Sequence, residues 1–563
     1  MPIPPTPCPS LQAADATAPD PPANDPAPAA PEPAPEPAPP LCVKRGRAAE
    51  PAEPEPAPAK RGKEDEEDEN KEVPVVVEPE APAPAPSSSD NDNRPAAPPP
   101  TTTTILRGED CPYLDTINRA ALDFDFEAAC SVTLSPVNVY ACLVCGRFFR
   151  GRGPSTPACA HALDAGHAVF MRLADGAAFV LPDGVGVDDP CLDAVRAVLD
   201  PRYTPADIAA LDTTPAWARA LDGTPFAPGL VGVNNLKATD YAAVAVQALA
   251  RVSPLRDFFL VPANYAHTRS PLVHRFGALL RKLWNPRAFK GHVSPHEFMQ
   301  AVLAASGGRF GTDARADTAA FLVWLLNTLH THLTVPPAPG APSGAAAARL
   351  AAARDSVVSR CFRGELEVAT EQPNGAPPAT DRRPFFVLAL DLPPAPLYKD
   401  ALEKNIIPQV PVADLLQRYN GSRADAAAKG GRRTMRLLRT PPYLVLHVKR
   451  FTRNAFFGEK NPTIVTFPVK GLDVASIVTL PPTEALNARY DLAANIVHEG
   501  PAGGGSYRAH VQRKSEGVWY DAADLAIAET LPQVVALSEA YVQVYERVPP
   551  KKGGNGGVAA MQE

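Results

Sequence analysis

Apolar residues recur at helical spacing in four stretches of this chain, Tyr241–Arg251, Val273–Trp284, Pro295–Ala305 and Thr318–His330. Side chains three and four apart share a helix face, so each stretch predicts a helix with a buried stripe. Further along, the period changes. Phe385–Leu392, Tyr443–Phe451, Asp491–His498, Ser506–Arg513 and Val542–Arg547 are rich in β-branched and aromatic residues and predict strands. Gly503, Gly504 and Gly505 separate two of these strands and predict a flexible turn. Residues 335–355 form a Pro/Ala-rich insertion, expected as a surface loop. Helices first and strands afterwards predict an α+β domain over residues 222–548, a helical lobe followed by a largely antiparallel sheet. The longest apolar run, Phe321–Leu326, falls far short of the roughly 18 residues a membrane span needs, so no membrane partner is expected.

Composition changes the picture at the start of the chain. The 563 residues include 68 prolines, unevenly spread. Residues 1–104 are nearly all Pro, Ala and Glu, too poor in apolar surface to offset ordering entropy, and are expected as a disordered arm. Within it, Lys44–Arg47 and Lys60–Lys63 flank a short linker in the manner of a bipartite nuclear-import signal, with the acidic run Glu64–Asp68 behind them. A nuclear location is the expectation. The net charge of −7 argues against bulk binding of nucleic acid, leaving only local basic patches for it. Nine cysteines, an odd and modest count, point to a reducing compartment without a disulfide framework. Residues 549–563 are polar, Gly-rich and expected as a flexible tail.

The clearest chemistry lies in residues 105–205. Cys142 and Cys145 are spaced to clamp one tetrahedral zinc, and His161 and His167 complete a closed Cys2His2 set. Four filled positions leave no place for a reactive water, so the expected cofactor is one structural zinc ion. Cys111, Cys130, Cys159 and Cys191 have no comparable set, and core packing is their expected role.

The stretch Cys142–Gly146 with its histidines resembles the zinc finger of the ubiquitin-protease type. Members with further metals carry a Cys where Arg150 stands and another pair near Phe179–Asp183, both absent here. Arg152 falls where some of these fingers hold the terminal carboxylate of ubiquitin, a pairing that suits a guanidinium. No accompanying aromatic pocket is evident, so ubiquitin binding by the finger is not expected.

A second resemblance spans Gly229–Tyr241 with Gln247–Leu249, which is similar to the nucleophile box of ubiquitin-specific proteases. Counting back seven residues from Gln247 gives Asp240 where that family has its Cys. A Cys at a helix start gains thiolate character from the helix dipole and free amides; an Asp there suits an N-cap and has no reason to attack a carbonyl. Tyr490–Gly500 with Gly505–Tyr507 resembles the histidine box, with Ser506 in place of the general base. Trp519–Asp524 matches the third box and leaves Ala523 at the orienting position. Asn235 holds the family's oxyanion-hole position. Asp317–Leu322 and Pro442–Phe451 match a helix and a strand of the same scaffold, so the resemblance implies a papain-like ubiquitin-specific-protease fold without its triad. His510 stands four residues, about 13 Å, along the strand from Ser506, out of reach as its base. Cys361 belongs to no recognisable box.

Cys111–Arg119, Leu122–Phe126, Lys282–Arg287, His292–Glu297, Ala395–Asp400 and Asn461–Val465 narrow the resemblance. Together with the Asp at the nucleophile position, they are similar to the inactive, ubiquitin-protease-like splicing factors of the spliceosomal tri-snRNP. That resemblance covers about residues 105–548. It implies a nuclear, non-catalytic scaffold that supports tri-snRNP assembly or stability, with tri-snRNP proteins as partners and snRNA as a further candidate. Two basic clusters offer places for RNA phosphates or an acidic protein face. Arg281, Lys282, Arg287, Lys290 and His292 surround an apparent exposed aromatic turn with Trp284 and Phe289. Lys429, Arg432, Arg433, Arg436 and Arg439 form the other. The competing expectations are an adapter that binds ubiquitin or a ubiquitin-like protein, and a protease with an unorthodox nucleophile, Ser506 or Cys361.

Overall fold

Asp240–Leu249 carries apolar side chains on every side, and a helix of that kind belongs in a core. A computed structural model of the chain describes residues 105–107, 111–334, 355–371, 377–394, 408–426, 432–453 and 458–549. The arm 1–104, nearly all of the 335–355 insertion, Ala395–Asp400, Lys429 and the tail from residue 550 lie outside the described residues.

The first module is a six-stranded sheet ordered β1-β6-β5-β4-β2-β3. Its strands are β1 (Ile105–Arg107), β2 (Val139–Cys142), β3 (Phe148–Arg150), β4 (Val169–Arg172), β5 (Ala178–Val180) and β6 (Val185–Asp188). Helix α1 (Pro157–Ala165) packs on it, begun by a Pro at the first position and ended by Gly166 in the left-handed region. Cys111, Cys130 and Cys159 are buried and Cys191 is half-buried. Two short helices, α2 (Asp193–Leu199) and α3 (Pro205–Ala210), lead to the larger domain.

The larger domain opens with two strand pairs, β7 (Ala218–Arg219) with β8 (Pro225–Phe226), and β9 (Gly232–Val233) with β10 (His292–Val293). Its helical lobe comprises α4 (Asp240–Leu249), α5 (Ser253–Leu260), α6 (Pro271–Leu283), α7 (His296–Ala305), α8 (Thr318–Leu333) and α9 (Val357–Phe362). The predicted helices are all present, with ends shifted by a few residues where caps set them. Asp317 caps α8 by accepting the Ala320 amide at 2.6 Å.

The strands sort into two main sheets. One is ordered β12-β11-β16-β15, from β11 (Gly364–Thr370), β12 (Ala379–Phe385), β15 (Asn420–Ala426) and β16 (Arg432–Arg439). The other runs β13-β17-β26-β22-β23-β24-β25, with β21 (Leu472–Asp473) added on β22. Its members are β13 (Val387–Asp391), β17 (Tyr443–Lys449), β22 (Arg489–Glu499), β23 (Ser506–Arg513), β24 (Val518–Ala523), β25 (Ala526–Thr530) and β26 (Ala540–Arg547). Small pairs β14 (Gln409–Pro411) with β20 (Ile464–Thr466), and β18 (Phe451–Arg453) with β19 (Gly458–Lys460), flank it. One core joins the helical lobe to the inner face of the long sheet, and α4 lies against β22, β23 and β24. A second core fills the space between the two sheets.

Arg450 shows why a basic residue follows β17 directly. It is fully buried, and its guanidinium donates to the Ala540, Asn461 and Thr463 carbonyls at 2.7, 3.2 and 2.6 Å. Asn461 and Thr463 belong to the Asn461–Val465 stretch, so the two motifs form one buried clamp.

Candidate functional site

Helix α4 begins where the polar loop Asn234–Thr239 meets the Ala/Val run, and the structure makes Thr239 the capping residue with Asp240 the first residue of the helix. This corrects the expectation that Asp240 is the N-cap. Its carboxylate accepts the Tyr241 amide at 2.9 Å through one oxygen and the Tyr507 amide at 3.0 Å through the other. The second bond joins the helical lobe to β23, one residue beyond Ser506. Asp240 and Ser506 are therefore brought together, although they are 266 positions apart in the sequence. The amide that Thr239 exposes goes instead to Asn235 Oδ1, at 2.8 Å. Asn235 Nδ2 points to Asp524 at 3.4 Å, so the Asn235 side chain is engaged at both ends.

Ser506 is exposed, and its hydroxyl makes no hydrogen bond among the described residues. Ala523 ends β24 beside Asp524, which holds the left-handed conformation and accepts the Val233 amide through its carbonyl at 2.9 Å. His510 is buried on β23, opposite Asn495 and Asp521, and faces neither Ser506 nor Asp240 through any hydrogen bond. Cys361 is buried in α9, and burial pushes its thiol up to about 12. A thiol so protonated is no nucleophile at neutral pH.

The sequence reading passed over His498. It lies directly opposite Tyr507 on β22, buried between the rings of Phe451 and Tyr507 at 4.9 Å from each. Burial, then the Lys460 ammonium, lowers its pKa, while Asp240 pulls the other way. Its Nδ1 has no hydrogen-bond partner among the described residues. A Cβ on Gly505 would come within 2.3 Å of the His498 ring, so the glycine before Ser506 is required by this close approach. Strand pairing was the signal that could have found His498. Behind it, Tyr541 donates to Asp317, and burial pushes the nearby His447 imidazole down to about 4.

In the first module, Cys142 closes β2, Cys145 follows in the turn, His161 sits on α1 and His167 follows that helix. Their ligand atoms all lie within 4.8 Å of one another. Cys142 Sγ is 3.6 Å from His167 Nδ1, Cys145 Sγ is 3.3 Å from His161 Nε2, and the two imidazole nitrogens are 3.1 Å apart. Zinc bonds of about 2.3 Å to sulfur and 2.0 Å to nitrogen give tetrahedral edges of about 3.3–3.8 Å, so the residues fit the ion. Without a cation, burial and then the neighbouring Cys145 thiol push Cys142 up to about 11, against the pull of nearby backbone amides. A divalent charge is what makes paired thiolates tolerable there. The turn is tight: Gly146 has φ +74°, and a Cβ on it would meet the Ala121 carbonyl at 2.0 Å. Arg152 does have an aromatic partner, since its guanidinium lies 4.5 Å above the buried Phe179 ring.

The basic cluster around Trp284 is not an exposed aromatic turn. Trp284 and Phe289 are buried, and Arg281, Lys282 and Lys290 turn toward the first module, while Arg287 and His292 are exposed. Lys282 donates to the Phe124 carbonyl and to Asp125 at 2.7 and 3.1 Å, and Lys290 pairs with Asp123 at 2.6 Å. Arg281 reaches Asp200 at 3.2 Å, and the Ser294 amide donates to Asp125 at 2.9 Å. Leu122–Phe126, Lys282–Arg287 and His292–Glu297 thus form the seam between the two domains.

The sequence profile described as "Ubiquitin carboxyl-terminal hydrolase" matches residues 231–545. The chain belongs to that family. A second profile, "Zn-finger in ubiquitin-hydrolases and other protein", matches residues 129–192, which makes the first module a zinc-binding finger. The chain is 42% identical to ubiquitin carboxyl-terminal hydrolase 39 of Homo sapiens, over 78% of this chain and 80% of the relative. It is 38% identical to the probable mRNA-splicing protein ubp10 of Schizosaccharomyces pombe, over 77% and 88%. The solved structure of an essential yeast splicing factor matches with a TM-score of 0.63 at 26% identity, over 78% of this chain and all of that one. The family membership, with splicing relatives along most of the chain, gives this protein a role in pre-mRNA splicing built on a ubiquitin-hydrolase-like domain.

Proposed function

We propose that the chain is a non-catalytic scaffold of pre-mRNA splicing, nuclear, and engaged with components of the tri-snRNP. The observation that carries the reading is Asp240, whose carboxylate occupies the nucleophile position and is committed to the Tyr507 amide. Ser506 and Ala523 stand where a base and its orienting partner belong, and acyl transfer needs all three roles filled. Residues 105–205 act as a finger holding one zinc through Cys142, Cys145, His161 and His167, and residues 222–548 as the inactive hydrolase-like body. Purification of the tagged full chain from nuclear extract is expected to bring down the tri-snRNP RNAs together. Their absence from a clean preparation would sink the proposal.

The exposed Arg152 guanidinium held over Phe179 favours one competing reading, an adapter for ubiquitin's terminal carboxylate. Titration with ubiquitin is expected to leave the finger's NMR signals unmoved. Saturable shifts, lost when the terminal glycine is removed from ubiquitin, would establish the adapter instead.

A further inference from the structure

The four-stranded sheet has two unlike faces. On β11, Leu366 and Val368 point to one side, where Val368, Met435 and Leu437 are buried in the second core. The intervening Glu365, Glu367 and Ala369 point to the other. Directly opposite residues of neighbouring strands share a face, so the register assigns that side its members. Glu367 stands between Arg382 of β12 and Arg436 of β16, and Glu365 between Pro384 and Arg439. Ala369 stands between Thr380 and Thr434, and Arg432 joins this side two residues beyond Thr434. Arg382, Arg432, Arg436 and Arg439 are all exposed, and none of them forms an ion pair among the described residues. Four arginines against the half-buried Glu365 and Glu367 and the exposed Glu371, whose amide donates to the Arg432 carbonyl, still leave a local cationic face on a chain whose net charge is −7.

We infer that this face is a docking surface for the phosphate backbone of double-stranded RNA. Strand spacing of about 4.8 Å puts Arg382 and Arg436 roughly 10 Å apart, and four residues of rise put Arg432 about 13 Å from Arg436. Guanidinia so separated reach different phosphates of one duplex. The face carries no aromatic side chain among its described residues, so it offers no platform for stacked bases, and single-strand readout is disfavoured. It also lacks the large apolar anchors that form the dry centre of a protein interface, since the small Ala369, Pro384 and Ala424 are its apolar members among the described residues. Duplex RNA is recognised through its backbone and shape, which needs only positioned cations. The inference stands on charge and register, independently of the splicing role, and its failure would leave that role untouched.

The test is fluorescence anisotropy of the zinc-loaded full chain with a labelled RNA duplex of about 20 base pairs, between roughly 50 and 300 mM salt. Binding is expected to weaken with salt at a log–log slope of about −2 to −4, as two to four released counterions require. The combined variant Arg382→Gln, Arg436→Gln, Arg439→Gln is expected to lose at least about tenfold in affinity and to flatten that slope by about 2. Glu367→Gln is expected to tighten binding about twofold to fivefold, an effect in the opposite direction that misfolding does not produce. Arg202→Gln, an exposed arginine elsewhere, is expected to bind as the wild type does. Absence of duplex binding at the lowest salt overturns the inference, as does a combined variant that binds like the wild type. Preferential binding of a poly-glutamate peptide over the duplex overturns it in favour of an acidic protein partner.

Discussion

At the scale of single residues, Asp240 illustrates how an acid at a helix start becomes a bond between two elements. A carboxylate in the first turn of α4 sits at the positive end of the helix and accepts two amides, one of them from β23. Asp240→Ala removes both acceptors and is expected to cost about 1–2 kcal/mol in urea unfolding. Asp240→Cys supplies a weak acceptor, so a similar loss is expected. The same variant is expected to show no labelling by a ubiquitin probe carrying a terminal electrophile, because Ser506 cannot take the thiol proton. Labelling at the introduced Cys would show that His498 serves as a base. The three boxes were legible in sequence because each is a short local pattern. His498 was not, since its place beside Asp240 depends on β22 pairing with β23.

At the scale of elements, the four residues proposed to hold zinc come from β2, the following turn, α1 and the loop after it. A small module of this kind draws folding free energy from its metal. Chelation of zinc is expected to abolish the finger's protection from hydrogen exchange while the larger domain stays protected, and metal analysis is expected to give one zinc per chain. Cys145→Ser is expected to mimic chelation. Retention of protection in the apo chain would remove zinc from the folding of this module. The helices of the larger domain were readable because their apolar periodicity is strong. Strands β11 and β16 were missed, although Glu365–Val368 and Thr434–Leu437 alternate polar and apolar in strand fashion. In β16 the arginines drew attention as a charge cluster, and the inward Met435 and Leu437 between them went unread.

At the scale of the whole molecule, the finger and the larger domain are joined by a seam of ion pairs and backbone bonds. Burial alone would raise the Asp123 carboxyl, but the hydrogen bond and charge of Lys290 and the Asp125 amide outweigh it and hold the group below its ordinary value of 3.8. A carboxylate with a depressed folded pKa stabilises fully above its unfolded value, and that contribution is lost as pH falls through the folded one. Wild-type stability is therefore expected to fall more steeply than that of Asp123→Asn as pH drops below about 4, when both are followed by thermal unfolding. Parallel curves would show that Asp123 contributes nothing through its charge. The residues of this seam were singled out in sequence, yet their role there was read as an exposed basic turn. Nothing in the local pattern of Lys282–Lys290 announces that Asp123 and Asp125, more than 150 positions earlier, lie against it.

Sequence by itself determined the chemistry that is local along the chain: the Cys142–Cys145 pair, the Asp at the start of α4, and the periods that make helices and the long strands. Tertiary structure decided what depends on distant segments meeting. It turned Asp240 into a bridge to Tyr507, buried His498 beside it, converted the Trp284 cluster into a domain seam and left the arginines of β16 on an open face. The physical reason is that a side chain's chemistry is fixed by its type, whereas its burial and its partners are fixed by which strands and helices pack against it.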